Sequence, residues 1–227
     1  MSSLLLKRKR TATRFRLPYS LKQVYAMLYA ACKAEVESRH REFILTVEYK
    51  KHIEDIAKWL TSEDPTFGLY LCGGVGNGKT TIIKALQSLT SYLRRNETSG
   101  IYEEYPPRGF IFISAKDLVS LAKANSNPTR DNEQDVSKYK RLRTIEILAI
   151  DDIGQEPKES IHFGDFVTAV LDIIYYRYDE QLCTIVSSNL SAADISKYYD
   201  ERIADRFREM MYIVNFGTEQ SFRRNKK

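Results

Sequence analysis

The chain has 227 residues, of which 43% are hydrophobic, and this size suits one compact domain with a modest extension better than a large multidomain protein. No apolar run approaches the roughly 18 residues that a membrane helix needs, so we expect no membrane partner. Three cysteines, Cys32, Cys72 and Cys183, lie far apart and form no CxxC pair. This spacing argues against a disulfide framework and a zinc site, and it favours the reducing cytoplasm.

The net charge of +5 is concentrated at the two ends of the chain. Residues 1–16 contain six basic side chains and no acidic one, and residues 223–227 contain four basic side chains and no acidic one. The region between them carries more acidic than basic residues. We interpret residues 1–17 as a basic N-terminal arm, which could bind a polyanion such as nucleic acid or could be a solvated terminus.

Residues 18–64 show the apolar spacing of helices. Apolar side chains recur every three or four residues between positions 21 and 28, and again between positions 53 and 60. We predict two or three amphipathic helices in this segment. The polar and proline-containing run at 61–65 ends the helical pattern, so we place the start of a separate unit, residues 65–227, at its end.

Short apolar runs alternate with helical patterns through the rest of the chain. Runs that are almost entirely apolar are typical of a parallel sheet covered on both faces. We therefore predict an α/β fold with a five-stranded parallel sheet between helices. Two polar connections, residues 95–108 and 125–136, are predicted to be mobile loops. The predicted strands are residues 68–72, 110–114, 145–150, 183–187 and 212–216, and the predicted helices are residues 80–94, 115–124 and 163–178.

Residues 73–80, with the sequence GGVGNGKT, satisfy the pattern GxxxxGK[ST]. The pattern follows a predicted strand and opens a predicted helix, which is the context that a phosphate-binding loop requires. Glycines let backbone N–H groups surround phosphates, and the helix N-terminus adds positive charge. We predict that Lys79 binds the β- and γ-phosphates of ATP and that the Thr80 hydroxyl ligates Mg²⁺. The predicted nucleotide-binding residues are Gly73, Gly74, Val75, Gly76, Asn77, Gly78, Lys79, Thr80 and Thr81.

Two successive carboxylates, Asp151 and Asp152, follow the apolar run at 147–150. This is the Walker B form, in which Asp151 would hold Mg²⁺ and Asp152 would polarise the attacking water. Alone, paired acids after a strand could equally be a solvated turn, but the phosphate-binding loop favours the catalytic interpretation. Many such ATPases carry the longer Glu at the second position, so we expect slow, switch-like turnover.

Asn189 follows the next predicted strand, residues 183–187. If that strand lies beside the one that precedes the phosphate-binding loop, the amide could orient the attacking water against the γ-phosphate. The alternative is a helix N-cap, because Ser191 and Asp194 suggest that a helix starts just beyond. We favour the catalytic role for Asn189.

With these three elements in order, the chain resembles the AAA+ ATPases, and in particular the DnaC/DnaI-type helicase loaders and their IstB relatives. The resemblance covers roughly residues 66–224, and its most specific motifs are ERIADRFRE at 201–209 and VNF at 214–216. It implies a P-loop NTPase of the AAA+, ASCE type with a helical segment before it. Arg223 resembles the sensor II arginine, which would contact the nucleotide of its own subunit. Only eleven residues follow Phe216, so we expect no full C-terminal lid.

The same resemblance assigns Arg206 as the arginine finger, with Arg202 one helical turn earlier as the competitor. A finger acts on the nucleotide of a neighbouring subunit, which implies head-to-tail self-association. The alternative interpretation is a surface ion pair between Arg206 and a nearby acid such as Glu201, Asp205 or Glu209.

Residues 138–143, with the sequence KYKRLR, interleave basic side chains with an aromatic one. They lie where the initiator and loader branch of the family carries extra helices that contact single-stranded DNA, and their composition suits backbone tracking and base stacking. Lys116 and Lys123 could extend such a surface. The pattern is equally compatible with an exposed helix face that packs through Leu142.

These observations predict an ATP- and Mg²⁺-dependent, DNA-associated ATPase that resembles replicative helicase loaders. Single-stranded DNA and a replicative helicase or a transposase are the expected partners. An IstB-like transposition ATPase and a non-hydrolysing, ATP-gated DNA-binding module remain as alternatives. A small-molecule kinase is disfavoured, because the chain offers no clear acceptor pocket or basic closing lid. Such loaders usually contact the helicase through the region that corresponds to residues 1–64, and here that region matches no motif.

Overall fold

Five parallel strands and eight helices are present in the part of the chain that the computed structural model describes, residues 14–96, 110–154, 163–217 and 221–222. The predicted α/β class with a five-stranded parallel sheet is confirmed. The strands are β1 (Gly68–Cys72), β2 (Phe110–Ser114), β3 (Ile147–Ile153), β4 (Cys183–Ser188) and β5 (Met211–Asn215). The helices are α1 (Leu21–Glu37), α2 (Val47–Thr61), α3 (Lys79–Asn96), α4 (Ala115–Ser126), α5 (Glu133–Thr144), α6 (Phe163–Asp179), α7 (Ile195–Tyr198) and α8 (Glu201–Met210).

The strands lie in the order β2-β3-β4-β1-β5, and each neighbouring pair is parallel. The strand before the predicted phosphate-binding loop, β1, therefore lies between β4 and β5. Its Leu69 pairs with Ile185 on one side and with Tyr212 on the other. Every residue of β1 and β4 is buried. The sequence of β1 is almost continuously apolar, as is typical of such strands, whereas β4 also buries Thr184, Ser187 and Ser188. Because parallel strands end at one edge of the sheet, the segments after β1, β3 and β4 meet there.

Two hydrophobic cores cover the two faces of the sheet. One joins α4, α5, α6, α7 and α8 to side chains such as Tyr70 and Val186. The other joins α1, α2 and α3 to Leu69, Leu71 and Ile185. Successive residues of β1 thus point to opposite cores, as a strand requires. α1 and α2 therefore share a core with the sheet. Among the described residues, no helix combines the length and the apolar character that a membrane span requires.

The two N-terminal helices begin at residues that cap them. The Ser20 hydroxyl accepts from the backbone N–H of Gln23, whose side chain in turn accepts from the backbone N–H of Ser20. Thr46 caps α2 by accepting from the backbone N–H of Tyr49 at 3.1 Å. This start of α2 places the Tyr49 ring against Gly78 of the phosphate-binding loop.

The connection predicted as a mobile loop over residues 125–136 is mostly helical, so this prediction was wrong. α4 continues to Ser126, a short 3₁₀ helix covers Arg130–Asn132, and α5 begins at Glu133. Glu133 and Asp135 lie in the first turn of α5, where their negative charge favours the helix N-terminus. The charged sequence therefore belongs to an exposed helix start. Of the other predicted loop, residues 97–108 lie outside the described residues.

The end of the predicted basic arm is anchored to the body of the protein. Phe15 and Leu17 are buried. The Arg16 guanidinium donates to three backbone carbonyls between residues 62 and 66 at 2.7–2.8 Å, and it lies 4.9 Å from the centroid of the Trp59 ring. Arg16 is therefore a structural residue. Residues 1–13, with the other basic side chains of the arm except Arg14, lie outside the described residues.

Candidate nucleotide-binding site

The predicted phosphate-binding loop joins β1 to α3 at the carboxyl edge of the sheet. Its Gly73, Gly76 and Gly78 have φ values of +118°, +88° and +94°, a region that side chains disfavour. The space is also closed, because a Cβ on Gly76 would lie 2.0 Å from the Ser221 Oγ, and a Cβ on Gly78 would lie 2.7 Å from the Tyr49 ring. The path of this loop therefore requires glycine at these positions.

Lys79 begins α3, and its side chain turns back over the loop. The residue is only 6% exposed. Its Nζ donates to the carbonyls of Gly73 at 2.8 Å and Gly74 at 2.5 Å, and to Asn189 Oδ1 at 3.2 Å. Asn189 follows β4, the neighbour of β1, as the catalytic interpretation required. The N-cap residue of α7 is Asp194, so Asn189 does not cap that helix.

Asp151 and Thr80 form a pair of oxygen donors beside the loop. The Thr80 hydroxyl lies 3.1 and 3.0 Å from the two carboxylate oxygens of Asp151. Burial raises the pKa of the Asp151 carboxyl, and the hydrogen bond from Ser187 acts in the opposite direction. Mg²⁺ prefers hard oxygen ligands, and one or two from the protein suffice when nucleotide phosphates supply others. The two residues therefore fit the predicted Mg²⁺ site. The described residues contain no cluster of three or more metal-ligating side chains.

Asp152 differs from Asp151 in exposure and in backbone conformation. Asp152 is exposed and has a φ of +60°, and its backbone N–H donates to the Ser187 hydroxyl at 2.9 Å. The pairing of β3 with β4 shifts between Ile150 and Ile153, so the strand bulges at the two aspartates. Consequently the two carboxylates point differently: Asp151 is buried at the Thr80 hydroxyl, and Asp152 lines the cavity beside the loop.

One cavity of about 240 Å³ lies beside the phosphate-binding loop. Its far wall is aromatic: the Tyr49 ring centroid lies 6.0 Å from that of Phe43 and 5.6 Å from that of Phe222. An aromatic wall next to a phosphate-binding loop suits a nucleobase. The predicted phosphate-binding and catalytic residues that line the cavity are Val75, Gly76, Asn77, Gly78, Lys79, Thr80, Thr81, Asp152 and Asn189.

The connection between α1 and α2 also lines this cavity, which the sequence did not predict. It contributes Arg39, Arg41 and Glu42, and Arg39 forms an ion pair with Glu35 of α1. His40 between them has a φ of +55°, so the chain turns sharply there. The connection is held by ring contacts, among them Tyr29 with Phe43 at 5.5 Å. No motif marks these residues, and their aromatic side chains have the same pattern as ordinary core residues.

The chain after β5 returns to the phosphate-binding loop. The Gly74 N–H donates to the Gly217 carbonyl at 2.8 Å, and the Phe222 N–H donates to the Gly76 carbonyl at 3.1 Å. The ring of Phe222 then reaches the cavity. Arg223, the predicted sensor II residue, is the next residue in the chain and lies outside the described residues.

Arg206, the predicted arginine finger, lies on α8 and does not line the cavity. Its guanidinium carbon lies 4.1 Å from the Tyr175 ring centroid and 5.1 Å from that of Tyr178. Its Nε is buried and has no hydrogen-bond partner among the described residues. Glu201, named in the ion-pair alternative, pairs with Arg208 at 2.8 Å. Arg206 therefore packs on two aromatic rings of its own chain, and its role as a finger stays a prediction.

The basic segment at 138–143 lies on α5. Its aromatic residue, Tyr139, is 6% exposed and packs in the core together with Leu142. Arg143 lies over the Tyr176 ring at 4.2 Å. The segment therefore offers no aromatic side chain for base stacking, and its exposed basic side chains are Lys138, Lys140, Arg141 and Arg143.

No protein-family model matches this chain, and no curated protein matches it. Solved structures do. The DnaC helicase loader is 23% identical with a TM-score of 0.57, over 76% of this chain and 92% of its own. DnaI is 20% identical with a TM-score of 0.53, over 82% of this chain and 93% of its own. AMPPCP-bound DnaA from Aquifex aeolicus is 15% identical with a TM-score of 0.54, over 80% of this chain and 50% of its own.

At these identities the likeness concerns the fold. It agrees with the resemblance expected from the motifs. This chain therefore has the AAA+ fold of the DnaC and DnaI helicase loaders and of the DnaA initiator.

Proposed function

We propose that this protein is a Mg²⁺- and ATP-dependent AAA+ ATPase that acts in DNA replication in the manner of a helicase loader. One observation carries the proposal: groups suited to bind phosphate, to ligate a cation and to activate water converge at one cavity. The groups belong to residues far apart in the chain. Lys79, Thr80, Asp152 and Asn189 line the cavity, and Asp151 contacts the Thr80 hydroxyl from beside it.

Each of these residues has a distinct role in the proposed reaction. Thr80 and Asp151 would hold Mg²⁺, which would offset negative charge on the phosphate oxygens. Lys79 would bind the β- and γ-phosphates after exchanging its carbonyl partners in the loop for phosphate oxygens. Asp152, exposed in the cavity, would accept a proton from the attacking water, and Asn189 would orient that water.

The aromatic wall of the cavity supports a nucleotide as the ligand. Phe43, Tyr49 and Phe222 offer ring faces or edges within reach of a base whose phosphates lie on the loop. Structurally similar DnaA binds AMPPCP, an adenine nucleotide analogue, which supports ATP over other nucleotides. Arg223 would contact the same nucleotide from the segment that follows Phe222.

The proposed partners are single-stranded DNA and a replicative helicase. A DnaA structure with a TM-score of 0.56 to this chain holds both AMPPCP and single-stranded DNA, and the DnaC neighbour is a helicase loader. The exposed basic side chains of α5 could contact DNA phosphates without base stacking. Arg206 would act on the nucleotide of an adjacent copy in a head-to-tail assembly.

Nucleotide binding and turnover test this proposal. Titration calorimetry with ATP and with GTP should show Mg²⁺-dependent binding that favours ATP. Steady-state phosphate release should be slow and should change when single-stranded DNA is added. Binding of ATP without any turnover would contradict the ATPase and favour the ATP-gated DNA-binding module, and absence of nucleotide binding would contradict the site itself.

A further inference from the structure

Ser187 is a fully buried residue of β4 whose hydroxyl contacts both aspartates of β3. The hydroxyl donates to Asp151 Oδ1 and accepts from the backbone N–H of Asp152 at 2.9 Å. A serine hydroxyl has one donor hydrogen and acceptor lone pairs, so it can make both hydrogen bonds together. A single side chain outside the nucleotide cavity therefore connects the two acidic residues of the site.

The same contact accounts for the bulge in β3. Ile150 pairs with Val186 and Ile153 pairs with Ser188, so the two aspartates at 151 and 152 lie opposite the single residue Ser187. The Asp152 N–H finds its partner in the Ser187 hydroxyl. Asp152 also has a φ of +60°, which is uncommon for a residue other than glycine and persists where surrounding contacts hold it.

The next two residues of the chain make equally specific contacts, but with other groups. The Ser188 hydroxyl donates to the Ile153 carbonyl at 2.7 Å and accepts from the Leu190 N–H at 3.0 Å. Asn189 accepts from Lys79. Of the two neighbouring buried serines, Ser187 is thus the one that reaches the aspartates.

We propose that Ser187 is a positioning residue for the ATPase reaction. Its hydroxyl aims the Asp151 carboxylate at the Thr80 hydroxyl, where Mg²⁺ would bind, and it holds Asp152 in the conformation that turns the second carboxylate into the cavity. This inference rests on the proposed function. The inference extends the proposed function to Ser187, a residue that does not line the nucleotide cavity. In other metal sites, hydrogen-bond partners of the metal-ligating carboxylates orient those carboxylates in the same way.

Ser187→Ala tests the role, with Ser188→Ala as the matched control. Both variants remove one fully buried hydroxyl that is hydrogen-bonded, so both should lose thermal stability. The binding readout is the Mg²⁺ concentration that gives half-maximal binding of a fluorescent ATP analogue. This concentration should rise roughly 10- to 100-fold in Ser187→Ala and by less than about twofold in Ser188→Ala. Hydrogen exchange of the nucleotide-free protein should speed up at the Asp152 amide in Ser187→Ala alone.

Ser187→Thr keeps the hydroxyl, so the Mg²⁺ concentration for half-maximal binding should be close to that of the unchanged protein. If Ser187→Ala does not fold, Ser187→Cys offers a weak donor of similar shape and should give an intermediate shift. Equal Mg²⁺ dependence in Ser187→Ala and Ser188→Ala would overturn the positioning role and leave the proposed function intact. Absence of Mg²⁺-dependent nucleotide binding in the unchanged protein would overturn the proposed function as well.

Discussion

Arg177 is a charged residue whose side chain is fully buried. Its guanidinium donates to the Thr184 hydroxyl at 2.8 Å and to backbone carbonyls that include those of Leu142, Ile145 and Cys183, at 2.5–3.1 Å. Burial lowers the pKa of this guanidinium to about 10. The side chain reaches from α6 to the end of α5 and the starts of β3 and β4. A single residue thus supplies hydrogen bonds to backbone carbonyls where α5, β3 and β4 meet.

Arg177→Met should destabilise the protein by roughly 3 kcal/mol, because several buried carbonyls would be left without a donor. Urea unfolding followed by circular dichroism measures this destabilisation. Arg208→Met is the control, since Arg208 forms an exposed pair with Glu201 and its replacement should change the stability little. Equal stability of the two variants would show that the carbonyls find other donors.

Phe222→Ala should weaken ATP binding by roughly tenfold or more, because stacking on a base is worth about 1–3 kcal/mol. Binding of inorganic triphosphate should change little, since the phosphates lie on the loop. Titration calorimetry with the two ligands separates these contributions. Tyr92→Ala on α3 serves as the control, because Tyr92 is 62% exposed and does not line the cavity. Equal reductions in affinity for ATP and triphosphate would contradict a base-binding role of Phe222.

Among individual residues, the sequence predicted those whose type and spacing are required by phosphate and metal binding. The glycines, Lys79, Thr80 and the two aspartates belong to motifs in which each residue type is required. Ser187 and Tyr49 could not be predicted in this way. A buried serine and a buried tyrosine occur in many strands and helices, and only the pairing of β3 with β4 and the packing of α2 show what they contact.

The N-terminal arm consists of two parts with different expected roles. Its anchor, residues 14–17, packs on the body of the protein, whereas Lys7, Arg8, Lys9 and Arg10 precede the anchor. Deletion of residues 1–13 should flatten the dependence of single-stranded DNA affinity on salt. The logarithmic slope should fall by up to about 0.7 for each DNA phosphate that the arm no longer neutralises. Fluorescence anisotropy at several salt concentrations measures this slope.

Replacing the four basic residues by glutamine is the matched control for chain length, and it should give the same change in slope. Deletion of residues 1–17 should in addition lower the melting temperature, because Phe15, Arg16 and Leu17 would be removed from the core and its edge. A salt slope that stays unchanged after deletion of residues 1–13 would contradict a DNA-binding role of the arm.

The helices and strands show which elements a sequence can reveal. β1 and β2 were predicted with their observed bounds, because both are short apolar runs. β1 is buried throughout, whereas β2 is a partly buried strand at the edge of the sheet. β3 was predicted to end at Ile150, but it continues to Ile153. The prediction ended too early because two successive aspartates are typical of the end of a strand, and the bulge that accommodates them depends on pairing with β4. The start of α5 was missed, because this helix buries few residues, Tyr139 and Leu142.

On the scale of the whole molecule, the order of the strands assembles the site. The segments after β1, β3 and β4 are distant in the chain, yet they meet because these strands are adjacent and parallel. This arrangement follows from the fold class that the apolar runs predicted. The closure of the cavity by α1, α2 and Phe222 could not be predicted, because it depends on how α1 packs on α3, on how α2 packs on α1 and β5, and on where the chain turns after β5.

Self-association should connect Arg206 of one copy to the nucleotide of another, since Arg206 does not line the cavity of its own chain. Arg206→Ala should bind ATP normally but hydrolyse it poorly. Mixing it with Lys79→Ala should restore part of the activity, because some interfaces then combine an intact loop with an intact arginine. ATP turnover against mixing ratio, with single-stranded DNA present and assembly confirmed by sedimentation, measures this rescue.

A strictly additive loss of turnover in assembled mixtures would contradict action between subunits by Arg206. Its stacking on Tyr175 and Tyr178 would then be its main role, and Arg206→Ala should be less stable than Arg202→Ala, whose side chain is exposed. Rescue in the mixture combined with unchanged stability would support the finger.

The central claim is that the cavity beside the phosphate-binding loop is an ATPase site, and two variants test it most directly. ATP affinity and single-turnover hydrolysis should be measured for the unchanged protein, Lys79→Ala and Asp152→Asn. Lys79→Ala should lose affinity by roughly 10- to 100-fold, because it removes a charge-assisted hydrogen bond to phosphate. Asp152→Asn should keep its affinity and lose hydrolysis by roughly 100-fold or more, because it removes only the group that accepts the proton from water. Equal ATP affinity of the unchanged protein and Lys79→Ala would contradict the account.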